Sequence, residues 1–158
     1  MALDGLGEVM ASLLIFAQSA TGYALPEDPP LIAFAPHAEL QRAACSRPCK
    51  IYGWYPRGKI IYLDDRLDPV HDVTARSILL HELVHYMQQV HGAFSGGSEC
   101  ENWSRRELEA YRVQARWLAD KAMSQSLYSG SGPAPWMLAC GPEAEAIAPR
   151  DVRRTSGE

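Results

Sequence analysis

Positive charge is scarce in this sequence and is never gathered into blocks. Fifteen Lys and Arg stand against 19 Asp and Glu, a formal net charge of −4 over 158 residues. The nearest thing to a basic cluster is Arg153-Arg154, in a polar stretch near the end. Nucleic-acid binding needs a basic surface to meet phosphates, so no nucleic-acid role is expected. Long apolar runs are missing as well. The best of them, residues 9–20, falls short of the ~20 residues that a bilayer-spanning helix needs. It also makes a poor secretory leader, because Asp4 and Glu8 precede it where Lys or Arg should stand. Leu6, Val9, Met10, Leu13, Leu14 and Ala17 recur instead at helical spacing, with Gly22 placed to stop the helix. No membrane span is expected, and the chain reads as cytoplasmic. A leader removed ahead of this sequence would make it periplasmic or secreted.

Cysteine is sparse too, limited to Cys45, Cys49, Cys100 and Cys140. That is too few for a small domain built on disulfides, and no C-x-x-C pair points to a structural zinc site. Buried thiols and one or two bridges both remain open. There is no internal repeat and no domain break. What is present is an ordinary globular composition, 47% hydrophobic and 22% charged, in a chain long enough for one core. One domain over residues 1–140 is expected, followed by a flexible polar tail over 141–158.

Within that domain, the proline-rich stretch 26–36 reads as a crossing that tucks Leu31, Ile32 and Phe34 into the core. Pro36 suits the first turn of a short helix reaching Ala44. Residues 51–55 and 59–63 read as strands, and Pro56-Arg57-Gly58 as the turn that makes them a hairpin. Asp68-Pro69 or Asp72 starts the next helix, and Gly92 stops it. Residues 94–103 read as loop. A further helix is expected from near Ser104 to about Leu127, and a last small element at Trp136, Met137 and Leu138.

Chemistry concentrates in His81-Glu82-Leu83-Val84-His85. At about 100° per residue, His81 and His85 leave one side of a helix one turn apart, where two imidazoles can share a metal ion. Glu82 sits beside His81, close enough to hold a water instead of the metal. Zinc in such a site brings its water toward neutral pKa, and a glutamate can take the proton as general base. Wheeling the helix puts Leu79, Leu80, Leu83, Met87 and Val90 on a core side. Thr74, Ser77, His81, His85, Gln88 and Gln89 fall on the other, bordered by Ile78 and Val84. Such a stripe suits a cleft; on an open surface the two histidines would be unremarkable.

Zinc needs a third protein ligand. The longer pattern H-E-x-x-H-x-x-G-x-x-H is broken at its glycine by Gln88, so another segment is the better source of the ligand. Glu107 and Glu109 are the candidates. With Glu107 as zero, Tyr111, Ala115, Leu118 and Ala122 lie within about 80° of it, on an apolar face. Glu109 falls among Arg112, Arg116 and Asp120, a charge run of the solvated kind. Glu107 is the inward carboxylate, and an inward carboxylate needs a partner such as a metal. The competing role is a capping box over Ser104-Arg105-Arg106-Glu107, with Glu107 bonding back to the N-cap amide.

His81-Glu-Leu-Val-His85-Tyr-Met-Gln-Gln89 followed by Glu107-Leu-Glu-Ala-Tyr111 resembles the gluzincins, whose H-E-x-x-H precedes an E-x-x-A-D or E-x-x-A-N. In scale and order the chain is similar to the compact minigluzincin peptidases and their bacterial relatives. The resemblance covers residues 52–118. It implies a zincin-like α+β fold, mainly helical, with a small sheet or hairpin packed over the H-E-x-x-H helix. It also implies His81, His85 and Glu107 as zinc ligands and Glu82 as general base. One departure is Tyr111, which stands where the family places Asp or Asn to orient a ligand histidine. A phenol there can make one such bond, reach the substrate oxyanion, or simply pack.

The expected function is therefore zinc-dependent hydrolysis of a peptide bond in a peptide or protein substrate. Alternatives are a non-catalytic zinc-binding module that regulates or binds a partner, and a hydrolase of non-peptide amides. Tyr111, His91, Arg105 and Arg106 are the oxyanion candidates. The strand over 59–63 is a candidate edge for an extended substrate, and Tyr52, Trp54 and Tyr55 are either cleft lining or core.

Overall fold

The first apolar stretch folds as it is patterned. In the computed structural model, which describes residues 2–45 and 48–121, helix α1 covers Ala2–Thr21 and buries Leu13, Leu14 and Ala17. Gly22 ends it at φ +82°, the left-handed stop that glycine adopts without a Cβ penalty. The proline-rich crossing holds a strand that no alternation marks in the sequence, β1 (Leu31–Ala35). Helix α2 (His37–Ala44) follows, with Pro36 as its N-cap.

The expected hairpin is present but shorter, as β2 (Gly53–Trp54) antiparallel to β3 (Ile60–Asp64). β1 pairs in parallel with β3, so the sheet order is β1-β3-β2. This corrects the substrate-edge assignment: the strand over 59–63 is the central one, with both edges already paired. Among the described residues the sheet's unpaired edges belong to β1 and β2. Pro30 and Pro36 bracket β1, a placement that proline tolerates on an edge strand. Asp64, at the end of β3, has no exposed surface. It accepts from Arg66 Nε at 2.8 Å and Nη2 at 2.6 Å, and pairs with His37 Nδ1 at 2.8 Å, which ties α2 to the sheet. Arg66 foremost, with His37, holds this carboxylate well below the usual range against the opposing effect of burial.

Helix α3 (Val73–Val90) starts on Asp72, whose side chain accepts from Ala75 N at 2.6 Å, and Gly92 turns the chain out of it at φ +62°. α3 lies between α1, helix α4 (Glu99–Asp120) and the sheet, and is covered on most sides. Leu79, Leu80, Leu83, Val84 and Met87 are fully buried, whereas Val90, expected on the core side, is half exposed.

The start of α4 is a second correction. It begins at Glu99, inside the expected loop, with Ser98 as N-cap and Glu101 completing the capping box. Ser104 and Glu107 are therefore well inside the helix, and the capping role considered for Glu107 is ruled out. Ser98→Ala removes the side-chain acceptor for Glu101 N and should lower stability by about 1 kcal/mol in denaturant unfolding.

The described residues thus form an α+β fold of four helices and a three-stranded mixed sheet. Among them no helix is long and apolar enough to cross a membrane. Cys45 and Cys49 are bridged to each other, and Cys100 is disulfide-bonded too. The expected helix extension to Leu127, the element at 136–138, Cys140 and the tail over 141–158 lie outside the described residues.

Candidate metal centre

Because α3 is enclosed, its polar side chains must find partners inside the protein. The helical period brings His81 and His85 to one side, and α4 crosses that side with Glu107 facing them. His81 Nε2 lies 3.2 Å from Glu107 Oε2, and His85 Nε2 lies 2.9 Å from Oε1. The two Nε2 atoms are 3.0 Å apart. Ligand atoms of these three residues all lie within 4.8 Å of one another. Ligands ~2.0–2.1 Å from a tetrahedral ion stand roughly 3.3 Å apart, so the cluster suits a small divalent cation with little rearrangement.

Charge points the same way. Two imidazole nitrogens facing each other at 3.0 Å, beside a carboxylate, are stabilised by positive charge among them. In the metal-free protein a proton supplies it. Burial works against a charged ring, but the Glu107 carboxylate overcomes it and pushes His85 up to about 9. Burial alone would raise Glu107, and the neighbouring His85 and His81 instead hold it well below the usual carboxylate range.

Glu82 is only 7% exposed and stands outside the three-residue cluster, though its charge also favours the protonated form of His85. Gly53 of β2 lies directly against it. A Cβ at Gly53 would come within 2.9 Å of both Cγ and Oε1 of Glu82, so this strand position leaves no room for a side chain. Nothing local marks Gly53 in the sequence; the constraint comes from another segment.

A family model described as a domain of unknown function, DUF6647, matches residues 7–129, which include every member of the site. The chain belongs to the DUF6647 family. No curated protein and no solved structure matches it.

In this DUF6647 chain the cluster opens into a cleft of about 770 Å³, bordered by β2, α3, α4 and the segment after Gly92. Tyr52, Trp54 and Tyr55 all line it, as do Tyr111 and Arg106. Tyr55 belongs to the core as well, its hydroxyl 2.7 Å from the Gly58 carbonyl. Tyr111 packs its ring edge-on against His81, with centroids 4.5 Å apart. Two oxyanion candidates fall away. Arg105 is exposed outside the cleft, and His91 stacks on Tyr23 at 5.2 Å on another face. His91 holds the last place of the longer histidine pattern. With Gln88 in place of glycine, α3 runs on to Val90 and cannot bring it back. Glu109 is the third correction. It is not on a solvated face, because Oε1 accepts from Tyr23 Oη at 2.8 Å and from Gln88 Nε2 at 3.0 Å. Ala115, wheeled onto the apolar face, is exposed, while Ala110, Val113, Gln114 and Trp117 are buried.

The His85–Glu107 pair sets a pH dependence. A raised histidine contributes stability that is complete below its ordinary 6.5 and lost as pH rises through about 9. The melting temperature of the metal-free protein should fall across that window. The depressed Glu107 acts at the other end, its contribution present above the ordinary glutamate value and lost in acid. A bound cation replaces the proton, so metal loading should flatten the fall at high pH. Calorimetry with and without chelator checks both limbs. A metal-free midpoint that does not drop on the basic side would mean the pair does not form.

Proposed function

We propose that this DUF6647 protein is a zincin-like, zinc-dependent metallopeptidase, with His81, His85 and Glu107 holding the ion and Glu82 as general base. The observation that carries the proposal is the meeting of two imidazole Nε2 atoms and a carboxylate beside Glu82, in the wall of an open cleft. Zinc bound there would supply Lewis-acid activation of a carbonyl and of water. Glu82 takes the proton from the attacking water as its oxygen bonds to the scissile carbon. The same carboxyl then delivers that proton to the departing amine as the C–N bond breaks. Burial and the contact with Gly53 hold Glu82 in place for both transfers.

Substrate orientation falls to β2. Asp64 N donates to Tyr52 O at 2.8 Å, so the polar groups of Tyr52 face β3. In an antiparallel pair these directions alternate, and the N–H and C=O of Gly53 therefore point away from β3, to an edge that no strand pairs among the described residues. An extended peptide can pair there, next to Glu82. Trp54 Nε1 lies buried in the same strand without a hydrogen-bond partner among the described residues.

Two measurements test the proposal. Protein purified without added metal should carry about one zinc per chain. It should also cleave members of a peptide library, with chelator stopping cleavage and zinc restoring it. A chain that retains no zinc overturns the whole reading; zinc without cleavage overturns the peptidase and leaves a zinc-binding module.

A further inference from the structure

The two imidazoles are aimed by a pair of glutamines to which the proposed chemistry gives no part. Gln88, on α3, is fully buried. Its Nε2 lies 3.0 Å from the carbonyl oxygen of Arg106 and 3.0 Å from Glu109 Oε1. Both neighbours are acceptors, so that end of the amide is the NH2 group, and Oε1 faces His85 Nδ1 at 2.9 Å. An amide oxygen only accepts, so Nδ1 of His85 carries the proton. Gln114, on α4, repeats the logic. Ser77 Oγ donates to the Thr74 carbonyl at 2.7 Å, which leaves a lone pair for Gln114 Nε2 at 3.2 Å. Oε1 of Gln114 then faces His81 Nδ1 at 3.1 Å, and that nitrogen is protonated as well. Each chain starts at a backbone carbonyl, a group that cannot exchange acceptor for donor. Tyr23 adds to the first of them, since burial and its bond to Glu109 keep its phenol protonated and donating.

We propose that Gln88 and Gln114 are positioning residues of the metal centre, which fix both imidazoles as Nδ1–H tautomers with the Nε2 lone pairs turned toward Glu107. The proposal rests on the metal-site reading. It also assigns the histidine-orienting task that the gluzincin-like pattern leaves open at Tyr111, and moves it to two amides from two helices. Which ring nitrogen binds a metal is decided by the hydrogen bond the other one makes.

The two positions respond differently to a carboxylate. Gln114→Glu keeps an acceptor for His81, and the Ser77 hydroxyl can turn to donate to it. Gln88→Glu removes the donor that Arg106 O and Glu109 require, and sets a carboxylate against Glu109. Exchanging the partners, in the double variant Gln88→Glu with Glu109→Gln, returns an amide donor to that contact.

Zinc affinity by competition with a chromophoric chelator, and long-range ¹H–¹⁵N spectra of the histidines, test this. Gln88→Leu, Gln114→Leu and Gln88→Glu should each weaken zinc by roughly 10–100-fold, the usual effect of losing a partner of a ligand histidine. Gln114→Glu should bind at least as tightly as the unmodified protein, and the double exchange should recover most of what Gln88→Glu loses. Spectra of the unmodified metal-free protein, taken above the pH at which His85 gives up its proton, should show Nδ1–H for both rings. Nε2–H in either ring, or a Gln114→Glu loss as large as that of Gln114→Leu, overturns the proposal. So does a double exchange no better than the single change. Absence of zinc binding in the unmodified protein would sink the proposed function, while the spectra would still decide the tautomers without metal.

Discussion

Replacing Glu107 with glutamine should weaken zinc binding by about a thousandfold, or ~4 kcal/mol, while Glu109→Gln should change it by less than about tenfold. The two carboxylates lie two residues apart on α4, so helix stability and net charge change alike in both variants. Their surroundings differ. Glu107 contacts both imidazole Nε2 atoms, at 2.9 and 3.2 Å. A neutral amide there offers the ion an oxygen without charge and directs an NH2 group at the site. Glu109 accepts from Tyr23 and Gln88 through Oε1 alone; the amide oxygen of glutamine can receive both bonds. A second reading separates the variants without metal. Glu107→Gln removes the charge that pushes His85 up to about 9, so the basic fall in melting temperature should vanish there and persist in Glu109→Gln. Equal zinc retention in the two would remove Glu107 from the ligand set.

What could be read in advance divides by the range of the interactions. His81 and His85 follow from helical period alone, and so do the ends of α3, where Asp72 caps and Gly92 turns. The helical wheel that turns Glu107 inward also turns Ala115 inward, and Ala115 is exposed. Glu107 lies toward α3 all the same, next to Ala110 and Gln114 on the buried side. Glu109 escapes its local charge pattern because its partners, Tyr23 just beyond the end of α1 and Gln88 on α3, are far away in sequence. β1 is hidden in the sequence for a similar reason. Its parallel partner β3 lies across α2 and β2 in sequence, and a short apolar run between prolines has no alternation to mark it. Two serine capping-box patterns, Ser98–Glu101 and Ser104–Glu107, stand close together in the sequence, and α4 opens on the first.

Gly53 is the most useful of the residues that no local signal reveals, because with Glu82 it separates metal binding from turnover. Glu82→Gln should keep zinc and reduce peptide hydrolysis by about 10²–10⁴-fold, the contribution usual for a positioned general base. The amide has nearly the shape of the carboxylate and fits the same contact with β2, so structure and metal content should be unchanged. Gly53→Ala approaches the same group from outside. Its backbone is not in the left-handed region, so the added methyl is no conformational burden in itself. The methyl would stand 2.9 Å from Cγ and Oε1 of Glu82, closer than side chains pack, and 3.1 Å from Ile78 Cγ2. Glu82 has to swing away, and a misplacement of about 1 Å can cost on the order of 10²-fold in rate. The expected result for Gly53→Ala is full zinc content, a lower kcat and a largely unchanged KM. Zinc lost along with activity in both variants would make Glu82 a structural support of the histidines. Zinc retained with full activity in Glu82→Gln would take the proton transfers away from Glu82, and with them the mechanism.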